Sequence, residues 1–251
     1  MSFLHKLGIG NGMGSGTSRE VARTLPATLR SRISGAPAGA VGATRPAEPH
    51  QLTRVSNGLK EFLWNLDGVG RGALLDLGPA WQTTLSFFIE RGFRVSSEDI
   101  MRGWKGFLTE EEARLREDAT VRDTLDMTPA GRAARFLAEN LKYSRSSFDA
   151  VLLWDLLDYL EPILVKQIVA NLMELLRPGG VVLAMFHSKK PEGFQRYRVA
   201  DSNTLQVIET PMICPVQKIY QNREIQDLFG RFRTMKSFVG RDQLRETLFI
   251  K

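Results

Sequence analysis

Cysteine is almost missing from this chain. Cys214 stands alone, so no internal disulfide and no cysteine metal cluster can form, which fits a reducing compartment and leads us to expect a cytoplasmic protein. Histidine is nearly as scarce, with only His5, His50 and His187. They show no metal-ligand spacing and no Ser-His-Asp grouping. No run of about 18 apolar residues exists, so no membrane-spanning helix is expected. The first sixteen residues hold one lysine and no long apolar core, a poor secretory signal. The acid-poor stretch Gly14–Arg45 resembles an organelle transit peptide only faintly.

Strong charge is also missing where a nucleic-acid grip would need it. The net charge is +6, but residues 1–50 carry six basic and two acidic side chains, and residues 51–251 carry 28 and 26. The body is therefore close to neutral, which argues against phosphate-backbone binding as its main task.

What is present is length and apolar content: 251 residues, 43% hydrophobic, are enough for a real core. Residues 1–48 are dominated by Gly, Ser, Ala, Pro and Arg without apolar periodicity. We read them as a flexible basic tail, with a nucleic-acid-contacting arm as the alternative. Residues 49–251 read as one folded domain.

Leu52, Val55, Leu59, Phe62, Leu63 and Leu66 recur at three- and four-residue steps and predict one helical face. Ala73–Leu77 reads as a short buried strand, Trp81–Arg91 as a helix closed by Gly92, and Phe93–Ser96 as a second strand. Thr109 with Glu112 has a capping-box pattern, and Thr128-Pro129 is a further helix start. Phe148–Trp154 reads as a strand buried on both faces. Pro162 opens a long helix that Arg177-Pro178-Gly179-Gly180 stops, and Val181–Phe186 is another buried strand. Asn222 reads as the cap of a short helix, Met235–Val239 as a strand and Leu244–Ile250 as an antiparallel edge. Alternating strands and helices call for an α/β fold with a parallel sheet covered on both faces.

Ligands in such sheets bind beyond the carboxyl ends of the strands. Three ends carry chemistry: Asp76-Leu77-Gly78-Pro79-Ala80, Glu98-Asp99, and Trp154-Asp155-Leu156-Leu157-Asp158. Gly78 allows close backbone approach, and a carboxylate at Asp99 can accept hydrogen bonds from a ribose diol. An Asp that ends a buried strand also serves as a plain structural cap, and both readings stand.

Leu74-Leu75-Asp76-Leu77-Gly78 resembles the first signature of class I S-adenosylmethionine (SAM)-dependent methyltransferases. Gly92-Phe93-Arg94-Val95, leading to Asp99, resembles the family's second strand and ribose-binding acid. Ser147–Leu160 resembles its fourth strand and following turn, and Leu175–Leu183, containing Arg177-Pro178-Gly179-Gly180, its turn into the fifth. The matches fall in family order. The resemblance implies a Rossmann-like seven-stranded, mostly parallel sheet with one antiparallel strand, helices on both faces, SAM as cofactor and methyl transfer to a nucleophile. It places Asp76, Gly78, Pro79 and Ala80 on the methionine side of SAM, Asp99 on the ribose, Asn140 or Leu141 near the adenine, and Trp154 and Asp155 toward the transferable methyl group. The usual Gly-x-Gly-x-Gly here reads Gly78-Pro79-Ala80-Trp81-Gln82, with only the first glycine kept.

Methyl transfer needs a base only when the acceptor must lose a proton. Asp155, Asp158, Tyr159 and His187 follow the fourth and fifth strands on the expected side and are the candidates. Packing for Tyr159 and a loop position for His187 are the plain alternatives. Acceptor choice is assigned to Met101–Ala134 and to Lys189–Tyr220, which mixes Phe194, Tyr197 and Ile208 with Arg196 and Arg198. A small-molecule acceptor is expected. The other readings are a catalytically inactive methyltransferase-like scaffold and an RNA methyltransferase recruited through the tail.

Overall fold

The computed structural model describes residues 52–117 and 125–251. The readings made for residues 1–48 lie outside them.

Strands β2 (Ala73–Asp76), β3 (Arg94–Ser97), β4 (Phe148–Trp154), β5 (Leu176–His187), β8 (Thr234–Val239) and β9 (Leu244–Ile250) form a six-stranded sheet in the order β3-β2-β4-β5-β9-β8. Strands β3, β2, β4 and β5 run parallel, and β9 runs antiparallel to both β5 and β8. The two-residue alternation of the strands divides the core. Leu75, Val151, Leu153 and Val182 face α3 (Ile100–Glu117), α4 (Pro129–Asn140), α5 (Pro162–Leu175) and α6 (Asn222–Leu228). Leu74, Ala150, Leu152 and Leu183 face α1 (Asn57–Asn65) and α2 (Gln82–Ile89). Full burial of each Leu, Val or Phe is worth about 1.5–3 kcal/mol before the cost of ordering the chain.

A second, three-stranded antiparallel sheet has the order β1-β7-β6, from β1 (Leu52–Val55), β6 (Gln195–Val199) and β7 (Thr204–Glu209). Its β6–β7 hairpin lies within the Lys189–Tyr220 segment to which acceptor choice is assigned. The turn between β6 and β7 closes where Asp201 accepts the Asn203 N–H at 2.9 Å.

Several expectations need correcting. The main sheet has six strands among the described residues, not seven. Those from Ser97 to Phe148 form α3 and α4 without a strand, so β3 is an outer strand. Leu244–Ile250 is no edge: β9 lies between β5 and β8, and Leu244–Phe249 are all buried. Leu52 and Val55 belong to β1 rather than to the first helix. Ser56 separates the two elements, its hydroxyl accepting the Leu59 N–H at 2.9 Å. Thr109 starts no helix, because its hydroxyl donates to the Lys105 carbonyl within an unbroken α3. Helix α6 is capped by Gln221, in a reciprocal box with Glu224, rather than by Asn222. The start at Thr128-Pro129 is as read, with the Thr128 hydroxyl accepting from Gly131.

Candidate functional site

The carboxyl ends of β2, β3, β4 and β5 meet at one end of the sheet. Glu98 N–H donates to the Asp76 carbonyl at 2.8 Å, and the Ser97 hydroxyl lies 3.3 Å from the Gly78 carbonyl. The turn after β2 and the end of β3 are therefore direct neighbours.

Asp76 is 1% exposed. Its Oδ1 accepts the Gly78 N–H at 2.9 Å and the Trp154 indole N–H at 2.6 Å. Burial pushes its pKa up to about 6, against the pull of those two bonds. Gly78 is buried, Pro79 half-buried and Ala80 exposed. A Cβ placed on Gly78 would sit 2.6 Å from both Cδ1 and Nε1 of Trp154, so the indole lies directly on the turn. Trp154 ends β4 with φ 52°, in the left-handed region that an aromatic residue rarely adopts. The Tyr197 ring stacks beside it at 6.4 Å and 15°.

Asp99 precedes α3 and caps it, accepting the Arg102 N–H at 3.2 Å. It also pairs with Arg196, whose Nη2 lies 3.1 Å from Oδ1 and 3.4 Å from Oδ2. Arg196 is only 4% exposed and reaches over from β6.

Asp155, Asp158, Tyr159 and His187 come together. His187 Nδ1 lies 3.0 Å from Asp158 Oδ2, which also accepts the His187 backbone N–H at 2.7 Å. His187 Nε2 lies 3.9 Å from Asp155 Oδ2, and the Tyr159 and His187 rings meet edge-on at 6.0 Å. Tyr159 is buried, and its hydroxyl has no hydrogen-bond partner among the described residues. Among the described residues, neither carboxylate oxygen of Asp155 accepts a bond from another residue's side chain. Burial raises the Asp155 pKa to about 6, opposed by the charges of His187 and Arg196. Burial also raises Asp158, against its bonds to His187. Burial pulls His187 down, but the Asp158 bond and the charges of Asp155 and Asp158 outweigh it, so its net shift is upward. Tyr159 is raised by burial and by the two aspartates.

Asn140 and Leu141 end α4 away from this cluster. Asn140 Nδ2 donates to the Phe136 carbonyl, and Leu141 packs in the core with Ile100 and Phe136. Nearer the end of β3 is Tyr143, whose hydroxyl donates to Glu98 at 2.7 Å. Sequence reasoning placed Arg196 and Tyr197 in a covering segment but gave neither a partner. Their alternation along β6 was the available signal.

The donor and acceptor set suits SAM: buried Asp76 for a cationic amino acid end, and Asp99 for a ribose diol. The space does not suit it in this arrangement, because Trp154 lies on Gly78 and Arg196 holds Asp99. Among the described residues no acidic, histidine or cysteine cluster could hold a metal ion, and no helix is long and apolar enough to cross a membrane.

No family model matches the chain, and no curated protein matches it. Solved structures similar to it include the 1,6-didemethyltoxoflavin-N1-methyltransferase of Burkholderia thailandensis with bound 1,6-didemethyltoxoflavin and S-adenosylhomocysteine, at 14% identity over 78% of this chain and 79% of that one, TM-score 0.40. A SAM-dependent methyltransferase of Methanosarcina mazei shares 17% identity over 72% of this chain and 93% of that one, TM-score 0.39. The glycopeptide N-methyltransferase MtfA complexed with SAM shares 17% over 78% and 94%, TM-score 0.38. This chain is thus similar, at low identity, to SAM-dependent methyltransferases of known structure.

Proposed function

We propose that the chain is a SAM-dependent methyltransferase acting on a small-molecule acceptor. The observation that carries this reading is the convergence, at one end of a parallel sheet, of Asp76, Asp99 and the Asp155–Asp158–Tyr159–His187 cluster. SAM, when bound, supplies an electrophilic methyl carbon. Asp76 and Asp99 would hold its two ends once Trp154 and Arg196 have moved.

The acceptor side is the cavity of about 270 Å³ lined by His187, Lys189, Lys190, Tyr197, Asp242 and Leu244. His187 reaches from that cavity toward Asp158 and Asp155. Its neutral ring would take a proton from the acceptor, and the two carboxylates would stabilise the resulting cation. Orientation alone contributes up to about 7–11 kcal/mol to a displacement of this kind.

The test is calorimetric titration of the folded chain with SAM and with S-adenosylhomocysteine. Saturable one-to-one binding is expected, and its complete absence both in the folded wild type and in a folded variant lacking the Trp154 indole would defeat the reading. A second reading, a methyltransferase-like binding scaffold without catalysis, is favoured by one observation: the indole of Trp154 lies on the Gly78 turn and donates to Asp76. That scaffold would bind neither nucleoside under any displacement of Trp154. An RNA-methyltransferase role through the basic tail ranks third. It would show as RNA binding that falls steeply with salt and disappears when residues 1–48 are removed.

A further inference from the structure

Two side chains of this chain already make the contacts that the proposed cofactor would need. Asp76 Oδ1, buried at the end of β2, is committed to the Trp154 indole N–H and the Gly78 amide. Asp99, at the end of β3, is committed to the Arg196 guanidinium. A ring N–H thus satisfies the acid expected to meet the amino acid end of SAM, and a planar multi-donor cation satisfies the acid expected to meet its ribose diol.

Arg196 and Tyr197 are consecutive residues of β6. Arg196 holds Asp99, while the Tyr197 ring stacks on Trp154. Among the described residues, strand β6 pairs with β7 alone. Beyond that pairing the Val199 N–H donates to Thr84 Oγ1 of α2 at 3.0 Å, and Tyr197 and Val199 pack in the core beside Phe87 and Phe88. A displacement of this one edge strand would release both contacts together. Trp154 meanwhile holds a left-handed backbone at φ 52°, and residues kept in such sparsely populated regions cluster at ligand clamps and switches.

We propose that Trp154 and Arg196 form a latch that occupies the nucleoside cradle by imitating the nucleoside's own hydrogen-bond donors, so that SAM or S-adenosylhomocysteine binds only by displacing both. This inference rests on the methyltransferase reading and specifies how that site is regulated. The exchange involves no bond making. Indole and guanidinium donors leave the two carboxylates, and ammonium and hydroxyl donors replace them.

The test is calorimetric titration of S-adenosylhomocysteine into the full wild-type chain and into Trp154→Gly, Trp154→Phe and Arg196→Gln. Glycine suits the left-handed backbone at position 154, so Trp154→Gly removes the indole without adding backbone strain. Trp154→Phe keeps a ring but loses the N–H, and it carries the test should the glycine variant not fold. At least about tenfold tighter binding is expected for Trp154→Gly and a smaller gain for Trp154→Phe and Arg196→Gln. Binding to wild type should also shift the tryptophan emission, and that shift should be absent in Trp154→Phe. Affinities equal to or weaker than wild type, with wild type binding measurably, overturn the latch and leave the cofactor reading standing. No binding by wild type or by any folded variant overturns both.

Discussion

Asp158 holds His187 twice through one oxygen, accepting its backbone N–H at 2.7 Å and facing its ring Nδ1 at 3.0 Å. The bond fixes the imidazole with Nε2 toward Asp155. Asp158→Asn removes the charge and leaves a half-buried imidazole with a weaker partner. The raised pKa of His187 stabilises the fold below the unfolded histidine's pKa, and that contribution is lost as pH rises through the folded value. The substitution should therefore cost more at pH 5.5 than at pH 8.5. Urea unfolding at the two pH values checks this, and an imidazole NMR titration should show the His187 pKa falling.

Asp155 gives the opposite pH lesson. Its carboxyl titrates at about 6 in the fold against 3.8 when free. Between those values the folded state binds more protons than the unfolded chain, so stability falls as pH rises from about 4 to 6 and stays lowered above. A shift of this size corresponds to roughly 3 kcal/mol. Asp155→Asn abolishes the penalty, so the variant should gain on wild type between pH 4.5 and pH 7.5. Denaturation curves at both pH values would decide, and an unchanged difference would show that Asp155 carries no burial penalty.

Gly78 and Trp154 should be energetically coupled. Gly78 has an ordinary negative-φ backbone, so an alanine there is opposed mainly by the indole 2.6 Å from its Cβ and secondarily by Asp76 Oδ1 at 3.3 Å. Gly78→Ala should destabilise by about 1–3 kcal/mol. In a Trp154→Gly background that cost should largely vanish. A double-mutant cycle measures the difference, and simple additivity would place the indole elsewhere.

Asp99 and Asp158 should separate in ligand binding. Asp99→Ala is expected to weaken S-adenosylhomocysteine binding by about tenfold, near 1.4 kcal/mol. Asp158→Ala acts on the acceptor side and should change it much less. Equal affinities in calorimetry would defeat the placement of the nucleoside at Asp99.

The central sheet was legible because its signals are local. Buried apolar runs such as Phe148–Trp154, the Thr128-Pro129 helix start and the helix stop before Arg177–Gly180 each report their own element, although Arg177–Gly180 themselves begin β5. The gathering of Asp155, Asp158, Tyr159 and His187 was legible for a related reason, since all four follow strands whose carboxyl ends must lie side by side. The partners across the site were not. That Arg196 would meet Asp99, 97 residues earlier in the chain, depends on how the β6–β7 hairpin lies over the sheet. Helical and strand periods also overlap over four or five residues, so Leu52 and Val55 matched the helical face that begins after Ser56. Asp99 showed both of its readings at once: it caps α3 and holds Arg196.

The position of β9 sets the order in which the sheet can be completed. Among the described residues, Thr234–Val239 pairs with Leu244–Ile250 and with no other strand, and Leu244–Ile250 in turn pairs with Val181–His187. As the chain is synthesised, Thr234–Val239 emerges with no place in the sheet until the following strand has been made. The free flank of β5 must meanwhile stay unsatisfied, an interval in which a nascent molecule is open to mispairing with its neighbours.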